Sequence, residues 1–234
     1  MSRIVLVTGA SSGYGKAISK AFKDAGDTVI MTARGAQKLE AARLEVGGDD
    51  AISMDVTLTS DWKKIVDFIM KKYGRLDILV NNAGGGVTIK EVVDFTDEEI
   101  DSVIKLNLNS VIYGCREVAP IMKNQRSGTI INISSVCARH SWPTWSVYAS
   151  AKAGVLNFSK GMYLEMQPYG VRVTCVIPSS ASTGFQSACG IGNTTDKLMP
   201  EDIAETVLYV ASLPERAVVE DVTVWGIDKQ INPL

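Results

Sequence analysis

Tyr148 and Lys152 stand four positions apart in Tyr148-Ala149-Ser150-Ala151-Lys152. If this stretch is helical, both side chains lie on one face, one turn apart. A fixed ammonium beside a phenol favours the phenolate and lowers a tyrosine pKa from its usual ~10. A tyrosine tuned in that way gives or takes a proton near neutral pH. The spacing alone occurs by chance in many helices, so its meaning depends on what else the chain carries.

The elements that would position such a pair begin at the N-terminal end. Arg3-Ile4-Val5-Leu6-Val7 is a short apolar, β-branched run with the character of a buried parallel strand. It leads directly into Thr8-Gly9-Ala10-Ser11-Ser12-Gly13-Tyr14-Gly15-Lys16, and a helical pattern through Ala17, Ile18, Ala21 and Phe22 follows. Strand, glycine-rich turn and helix together form the context of a dinucleotide-binding loop. Gly9 permits the tight turn, Gly13 lets the backbone approach a pyrophosphate, and Gly15 lets the helix pack close to the sheet. The first amides of the helix, with Ser11, Ser12 and Tyr14 around them, face the phosphate charge. The spacing is Gly-x-x-x-Gly-x-Gly, distinct from the Gly-x-Gly-x-x-Gly of other dinucleotide folds.

The rest of the chain alternates strand and helix patterns without an internal linker or low-complexity stretch. Strands are predicted at 28–32, 51–54, 76–80, 128–133, 171–177 and 221–225. Helices are predicted at about 36–44, 60–73 and 97–124, in one that carries Tyr148 and ends near 167, and in one starting at Pro200. Such alternation implies an α/β fold of parallel strands, right-handed crossovers and helices on both faces.

Three further motifs complete the pattern. Asn81-Asn82-Ala83-Gly84 follows the apolar run 76–80, Lys105-Leu106-Asn107-Leu108-Asn109 lies in the long helix, and Ile131-Asn132-Ile133-Ser134-Ser135 ends the fifth strand. With these in order, the chain resembles the short-chain dehydrogenase/reductase family, in its shorter single-domain branch, over essentially all 234 residues. The resemblance implies a Rossmann-type sandwich with strand order 3-2-1-4-5-6-7, a catalytic tetrad of Asn107, Ser135, Tyr148 and Lys152, and transfer of the B-face hydrogen. Ser135 is preferred to Ser134 because it lies thirteen positions before Tyr148, a usual family separation. Tyr148 would protonate the developing alkoxide, Ser135 would hold the substrate oxygen, and Asn107 would keep a water behind Lys152. Lys152 would lower the tyrosine pKa and bond the nicotinamide ribose. By the same resemblance Asn82, Ala83 and Gly84 join the cofactor site. Asp55 contacts the adenine with Val56 beside it, and Pro178 and Thr183 lie at the nicotinamide. Relatives usually carry Pro-Gly after strand six, whereas this chain has Pro178-Ser179. If the backbone there needed positive φ, a serine would be strained.

The cofactor follows from the end of strand two, Thr32-Ala33-Arg34-Gly35. NAD-selective relatives place an acid there for the ribose hydroxyls. Here Arg34 can pair with a 2′-phosphate through its planar fork, so NADP(H) is expected over NAD(H). A solvated surface arginine is the alternative, and Ser12 weighs slightly against NADP, because many NADP-preferring relatives are basic at that position.

The expected substrate is a small carbonyl compound or its alcohol: a ketone, a diketone or a 3-hydroxy acid. Its pocket would come from 85–87, 136–145 and a short loop at about 184–199. His140, Trp142 and Trp145 could wall it for an apolar ketone, or serve packing instead. Arg139 could clamp a carboxylate, or be a surface charge. The segment 199–214 looks like a subgroup containing NADP-dependent 3-hydroxy acid and serine dehydrogenases together with broad carbonyl reductases. Two other readings are a redox-sensing dinucleotide-binding regulator, which a broken tetrad would mark, and a lyase or epimerase, which generally has Gly-x-x-Gly-x-x-Gly and a longer substrate extension.

A chain with 46% hydrophobic residues is long enough for one substantial core, spanning 1–234 as a single unit. The net charge of −2, without any block of Lys or Arg, argues against a nucleic-acid partner. No apolar run approaches a membrane span, and Met1-Ser2-Arg3 enters the first strand without room for a cleavable signal, so a cytoplasmic protein is expected. Cys115, Cys137, Cys175 and Cys189 show no metal or disulfide spacing, and His140 is the single histidine, so no metal site is expected. Family habit suggests a homo-oligomer, a tetramer or dimer.

Overall fold

The computed structural model describes residues 2–183 and 197–229. Seven strands form from the apolar runs: β1 Ile4–Thr8, β2 Thr28–Ala33, β3 Asp50–Ser53, β4 Ile78–Asn81, β5 Gly128–Ile133, β6 Val171–Pro178 and β7 Asp221–Val224. All pair in parallel, in the order β3-β2-β1-β4-β5-β6-β7. The direction of winding reverses between β1 and β4. In open parallel sheets ligands bind outside the carboxyl ends of the strands at such a switch point.

Among the described residues seven α-helices cover the sheet: α1 Gly13–Asp24, α2 Ala36–Val46, α3 Thr59–Tyr73, α4 Asp97–Ile104, α5 Ser110–Gln125, α6 Ser146–Met166 and α7 Pro200–Ala211. The period of two along β1 sorts its side chains. Val5 and Val7 join Ile18 and Phe22 of α1, Leu39 of α2 and Ile203 of α7 on one face. Leu6 joins Trp62 of α3, Cys115 of α5 and Val155 of α6 on the other. Phe22 and Trp62 are fully buried, each stabilising the fold by roughly 2–3 kcal/mol.

Local signals set the helix ends. Gly47 and Gly74 end α2 and α3 in the left-handed conformation. Thr96 and Glu99 cap α4 reciprocally: Thr96 Oγ1 accepts from the Glu99 N–H at 3.3 Å, and Glu99 Oε2 accepts from the Thr96 N–H at 2.9 Å. Pro200 opens α7, where the Asp202 carboxylate accepts from the Met199 N–H at 2.7 Å.

The long helix predicted over 97–124 is interrupted. Between α4 and α5 the chain makes a π-helical turn, Lys105–Asn109, with the wider i→i+5 bonding that recurs at functional positions. Asn107, fully buried at its centre, donates from Nδ2 to the Val103 carbonyl four residues earlier, at 3.0 Å.

Candidate active site

The glycine-rich turn joins β1 to α1 at the switch point. Gly9 has φ +66°, and a methyl group built on it would sit 2.9 Å from Ala83 Cα. Gly15 is packed more tightly still: a methyl there would overlap the Gly9 carbonyl oxygen and lie 2.5 Å from Asn82 Nδ2. The two loops therefore touch backbone to backbone. Thr8, which the sequence does not mark as functional, stitches them: its Oγ1 accepts from the N–H groups of Asn82 and Ala83, each at 3.0 Å. Asn82 Nδ2 returns a bond to the Thr8 carbonyl at 2.8 Å.

At the start of α1, Ser12 occupies the N-cap position but makes no side-chain cap, and the first turn holds no acid. Its amides are left to an external anion. Ser11 is half-buried and Ser12 exposed. A methyl on Gly13 would come no closer than 3.8 Å to Thr183, so the turn keeps space between itself and the segment after β6. Tyr14 closes the far side, its hydroxyl donating to the Ser179 carbonyl at 3.0 Å. This uncapped, glycine-lined cradle fits a dinucleotide pyrophosphate.

Ser179 is not strained. Among the described residues only Arg126 and Thr144 combine a side chain with positive φ. The Ser179 hydroxyl accepts from the Gly226 N–H at 3.2 Å, and its own N–H donates to the Val224 carbonyl at 2.8 Å. Serine after Pro178 thus fastens the end of β6 to the chain following β7. Thr183 folds back through its N–H onto the Ala181 carbonyl at 2.7 Å. Of the predicted loop at 184–199, residues 184–196 lie outside the described residues, as does Cys189.

Arg34 and Lys38 are both exposed beyond the end of β2. Asp55 Oδ1 accepts from the N–H and the hydroxyl of Thr57, at 2.9 and 2.8 Å. Val56 is buried in the core and its carbonyl accepts from the Trp62 indole at 2.9 Å.

The four positions expected to form a tetrad lie around the ends of β4 and β5. Lys152 is 4% exposed, and its Nζ donates to the Ile133 carbonyl at 3.0 Å. Asn107 binds Gly85 in both senses, Nδ2 to the carbonyl at 2.9 Å and Oδ1 from the N–H at 3.0 Å. A methyl on Gly84 would lie 3.1 Å from Asn107 Oδ1 and 3.4 Å from Lys152 Nζ, so both groups border one small space. The Tyr148 ring stands one turn away, 5.8 Å from Lys152 Nζ. Ser134 turns inward, its hydroxyl donating to the Lys152 carbonyl at 2.8 Å. Ser135 is half-buried and opens the short 3-10 turn Val136–Ala138, where its Oγ accepts from the Cys137 N–H at 3.2 Å. Cys137 packs in one apolar cluster with Tyr148, which brings the serine turn to the tyrosine.

Beneath this site runs a buried polar ladder that the sequence reading missed. Asn81 and Asn132 are register partners on β4 and β5; Asn81 Nδ2 donates to Asn132 Oδ1 at 2.9 Å, and Asn132 Nδ2 to Ser159 Oγ on α6 at 2.9 Å. It ties the helix that carries Tyr148 and Lys152 to the strand that leads into Ser135.

Burial lowers the Lys152 pKa from the ordinary value near 10.5 to about 8. The ammonium therefore persists at neutral pH but yields its proton within reach of it. Because the folded-state value is the lower one, unfolding takes up a proton between about pH 8 and 10.5. Below that window both states are protonated and the cost of burying the charge is fully present; it fades as pH rises through the window. Relative to Lys152→Met, the wild-type protein without cofactor should thus gain thermal stability between pH 7 and pH 10. Melting curves of the two proteins at both pH values check this, and a constant difference would contradict it. The thiols of Cys115 and Cys175 are pushed up by burial to about 12 and about 11, so they stay protonated. No described helix is long and apolar enough to cross a membrane.

Comparison with known proteins agrees with this geometry. The chain is 32% identical over 226 residues to an uncharacterized oxidoreductase of Staphylococcus aureus (strain USA300), covering 95% of this chain and 96% of that one. Among solved structures it is similar to the closed form of a serine dehydrogenase complexed with NADP+, with a TM-score of 0.91, 28% identity, and coverage of 99% and 98% of the two chains. It is also similar to a 3-ketoacyl-(acyl-carrier-protein) reductase from Brucella melitensis complexed with NADH, with a TM-score of 0.89, 26% identity, and coverage of 96% and 97%. Several other neighbours hold NADP(H). The sequence model described as short chain dehydrogenase matches residues 3–212, nearly the whole length, and with the parallel sheet and its glycine cradle this places the chain in the short chain dehydrogenase family of oxidoreductases.

Proposed function

We propose that the protein is an NADP(H)-dependent carbonyl reductase, interconverting a small carbonyl compound and its secondary alcohol. The observation that carries the reading is the buried Lys152, with a pKa of about 8, one turn from Tyr148 and beside the Ser135 turn. Held by the glycine-rich turn, the nicotinamide cofactor would supply the hydride that the carbonyl carbon takes up. Ser135 donates to the carbonyl oxygen and fixes it near the Tyr148 hydroxyl. As the C=O π pair moves to oxygen, Tyr148 gives up its proton there, so ketone, hydride and proton add up to the alcohol. The Lys152 ammonium steadies the phenolate that remains and passes on a proton to restore the phenol. Asn107 holds Gly85, and with it the Asn82–Ala83–Gly84 backbone, at the edge of the same space.

The Gly9–Gly15 turn with Ser11, Ser12 and Tyr14 would hold the pyrophosphate, Asp55 and Val56 the adenine end, and Pro178 and Thr183 the nicotinamide end. Exposed Arg34 would meet the 2′-phosphate, which supports NADP(H) over NAD(H). Assembly as a homo-oligomer and a cytoplasmic setting belong to the same proposal, by family resemblance.

The test is reduction of a panel of ketones, aldehydes, diketones and 3-oxo acids with NADPH and with NADH. Wild-type protein should favour NADPH. In Arg34→Asp, the loss of a charge-assisted bond should lower the NADPH-to-NADH ratio of kcat/KM by about ten-fold or more. An unchanged ratio would make Arg34 a surface charge. Absence of any turnover while NADPH binds would remove the reductase reading.

A further inference from the structure

We propose that the substrate is a neutral ketone bearing an apolar, aryl-sized substituent, and that Trp145 is the residue that selects it. This rests on the reductase reading and narrows it. The wall beside Tyr148 is apolar: Val87 from the loop after β4, Cys137 from the serine turn, and Val147 and Trp145 at the start of α6 pack as one cluster. Trp145 meets the Tyr148 ring in an edge-on arrangement, with centroids 5.7 Å apart and planes at 65°. Tyr148 is only 7% exposed, and the half-buried Trp145 lies against its ring. An apolar ring seated against this wall would be held edge to face by the indole.

Trp145 is aimed by a tight turn. Its N–H donates to the Trp142 carbonyl at 3.2 Å, with Pro143 and Thr144 between. Thr144 has φ +71°. A proline followed by positive φ is the pattern of a type II turn, whose third position normally holds glycine or asparagine. A β-branched residue enters that conformation only against steric resistance, so the surrounding structure holds the turn, and with it the indole, in place.

Apart from Lys152, which serves Tyr148, the cations on the segments that build this wall are committed elsewhere. Arg139 pairs with Asp221 and donates from Nη1 to Thr223 Oγ1 at 3.0 Å, with Lys160 Nζ 3.7 Å from the same carboxylate. It binds the serine turn to β7 instead of facing a ligand. Lys90 pairs with Glu99 at 2.6 Å and lies over the Phe95 ring. A substrate carboxylate at this wall would have to lose its water without gaining a cation, or break an existing ion pair.

The experiment compares kcat/KM with NADPH for a neutral 3-oxo ester and the 3-oxo acid of the same carbon chain, and for an aryl methyl ketone and acetone. Wild type should favour ester over acid by about ten-fold or more, the cost of an unpaired carboxylate. Trp145→Ala should lower the aryl-to-methyl preference by about ten-fold. Trp145→Leu, which keeps the site filled, should show the same loss, so a misfolded alanine variant does not leave the assignment open. Arg139→Ala should leave the ester-to-acid ratio unchanged. A preference for the acid that disappears in Arg139→Ala overturns the proposal while the reductase reading stands. Retention of aryl preference in Trp145→Leu overturns the role of Trp145. Silence toward all four carbonyls with NADPH bound overturns the parent reading too.

Discussion

Tyr148→Phe should lower kcat by about a thousand-fold, within the range that a positioned general acid contributes, while NADPH still binds. The substitution removes one oxygen and keeps the ring. The edge contact with Trp145 and the packing against Val87, Cys137 and Val147 are therefore retained. The stability lost is that of a single hydroxyl, about 1 kcal/mol, whereas a thousand-fold in rate corresponds to about 4 kcal/mol in the barrier. The two effects are thus separable by size. Single-turnover reduction, with NADPH binding followed by fluorescence and folding by melting temperature, measures each. Activity close to wild type would remove Tyr148 as the acid. An equal loss in binding and turnover would instead place its role in holding the cofactor.

What was legible in the sequence was whatever short-range chemistry dictates. β-branched runs, glycines at βα turns, the proline opening α7 and the helix periods predict every described strand, and most helices, to within a residue or two. The grouping of Asn107, Ser135, Tyr148 and Lys152 came from the family resemblance that the ordered motifs carry, and the structure brings those four segments to the carboxyl ends of β4 and β5. Features that depend on tertiary partners were not legible. The π turn at Lys105–Asn109 carries no glycine or proline to mark a break, and its widening accompanies Asn107 binding Gly85, twenty-two residues away in the chain. Thr8 looks like an ordinary strand end until the Asn82–Ala83 backbone is brought beside it. Arg139 was ambiguous because its partner, Asp221, lies on the last strand. The left-handed Thr144 runs against local preference, so only the packed turn shows it. Ser179, expected to be strained if its backbone followed the glycine of relatives, adopts an ordinary conformation and uses its hydroxyl instead.

Gly15→Ala should cost the protein both its cofactor and part of its stability, since this position tolerates no Cβ. The added methyl would collide with the Gly9 carbonyl, a backbone group in a turn already at positive φ, and with Asn82 Nδ2 at 2.5 Å. Neither neighbour is free to move. Asn82 Nδ2 is held by the Thr8 carbonyl at 2.8 Å and the Gly9 carbonyl at 3.4 Å, and its main chain by Thr8 Oγ1. To relieve the clash α1 must slide away from the sheet, which loosens Ile18 and Phe22 in the core and pulls the helix amides out of the cradle. Overpacking of this kind costs about 1–3 kcal/mol, and for a chain of this size each kcal/mol lowers Tm by about 2–4 °C. The cofactor should suffer more than the fold, because pyrophosphate binding depends on the position of the amides while the core can repack partly. Gly26→Ala provides the comparison: its added methyl meets nothing within 4 Å, so its cost is confined to the left-handed backbone at φ +87°. Melting temperature and NADPH affinity measured for both variants decide the matter. Gly15→Ala should lose affinity beyond its loss of stability, and Gly26→Ala should lose stability alone. If Gly15→Ala bound NADPH as tightly as Gly26→Ala does, the cradle at the start of α1 would not be where the pyrophosphate lies.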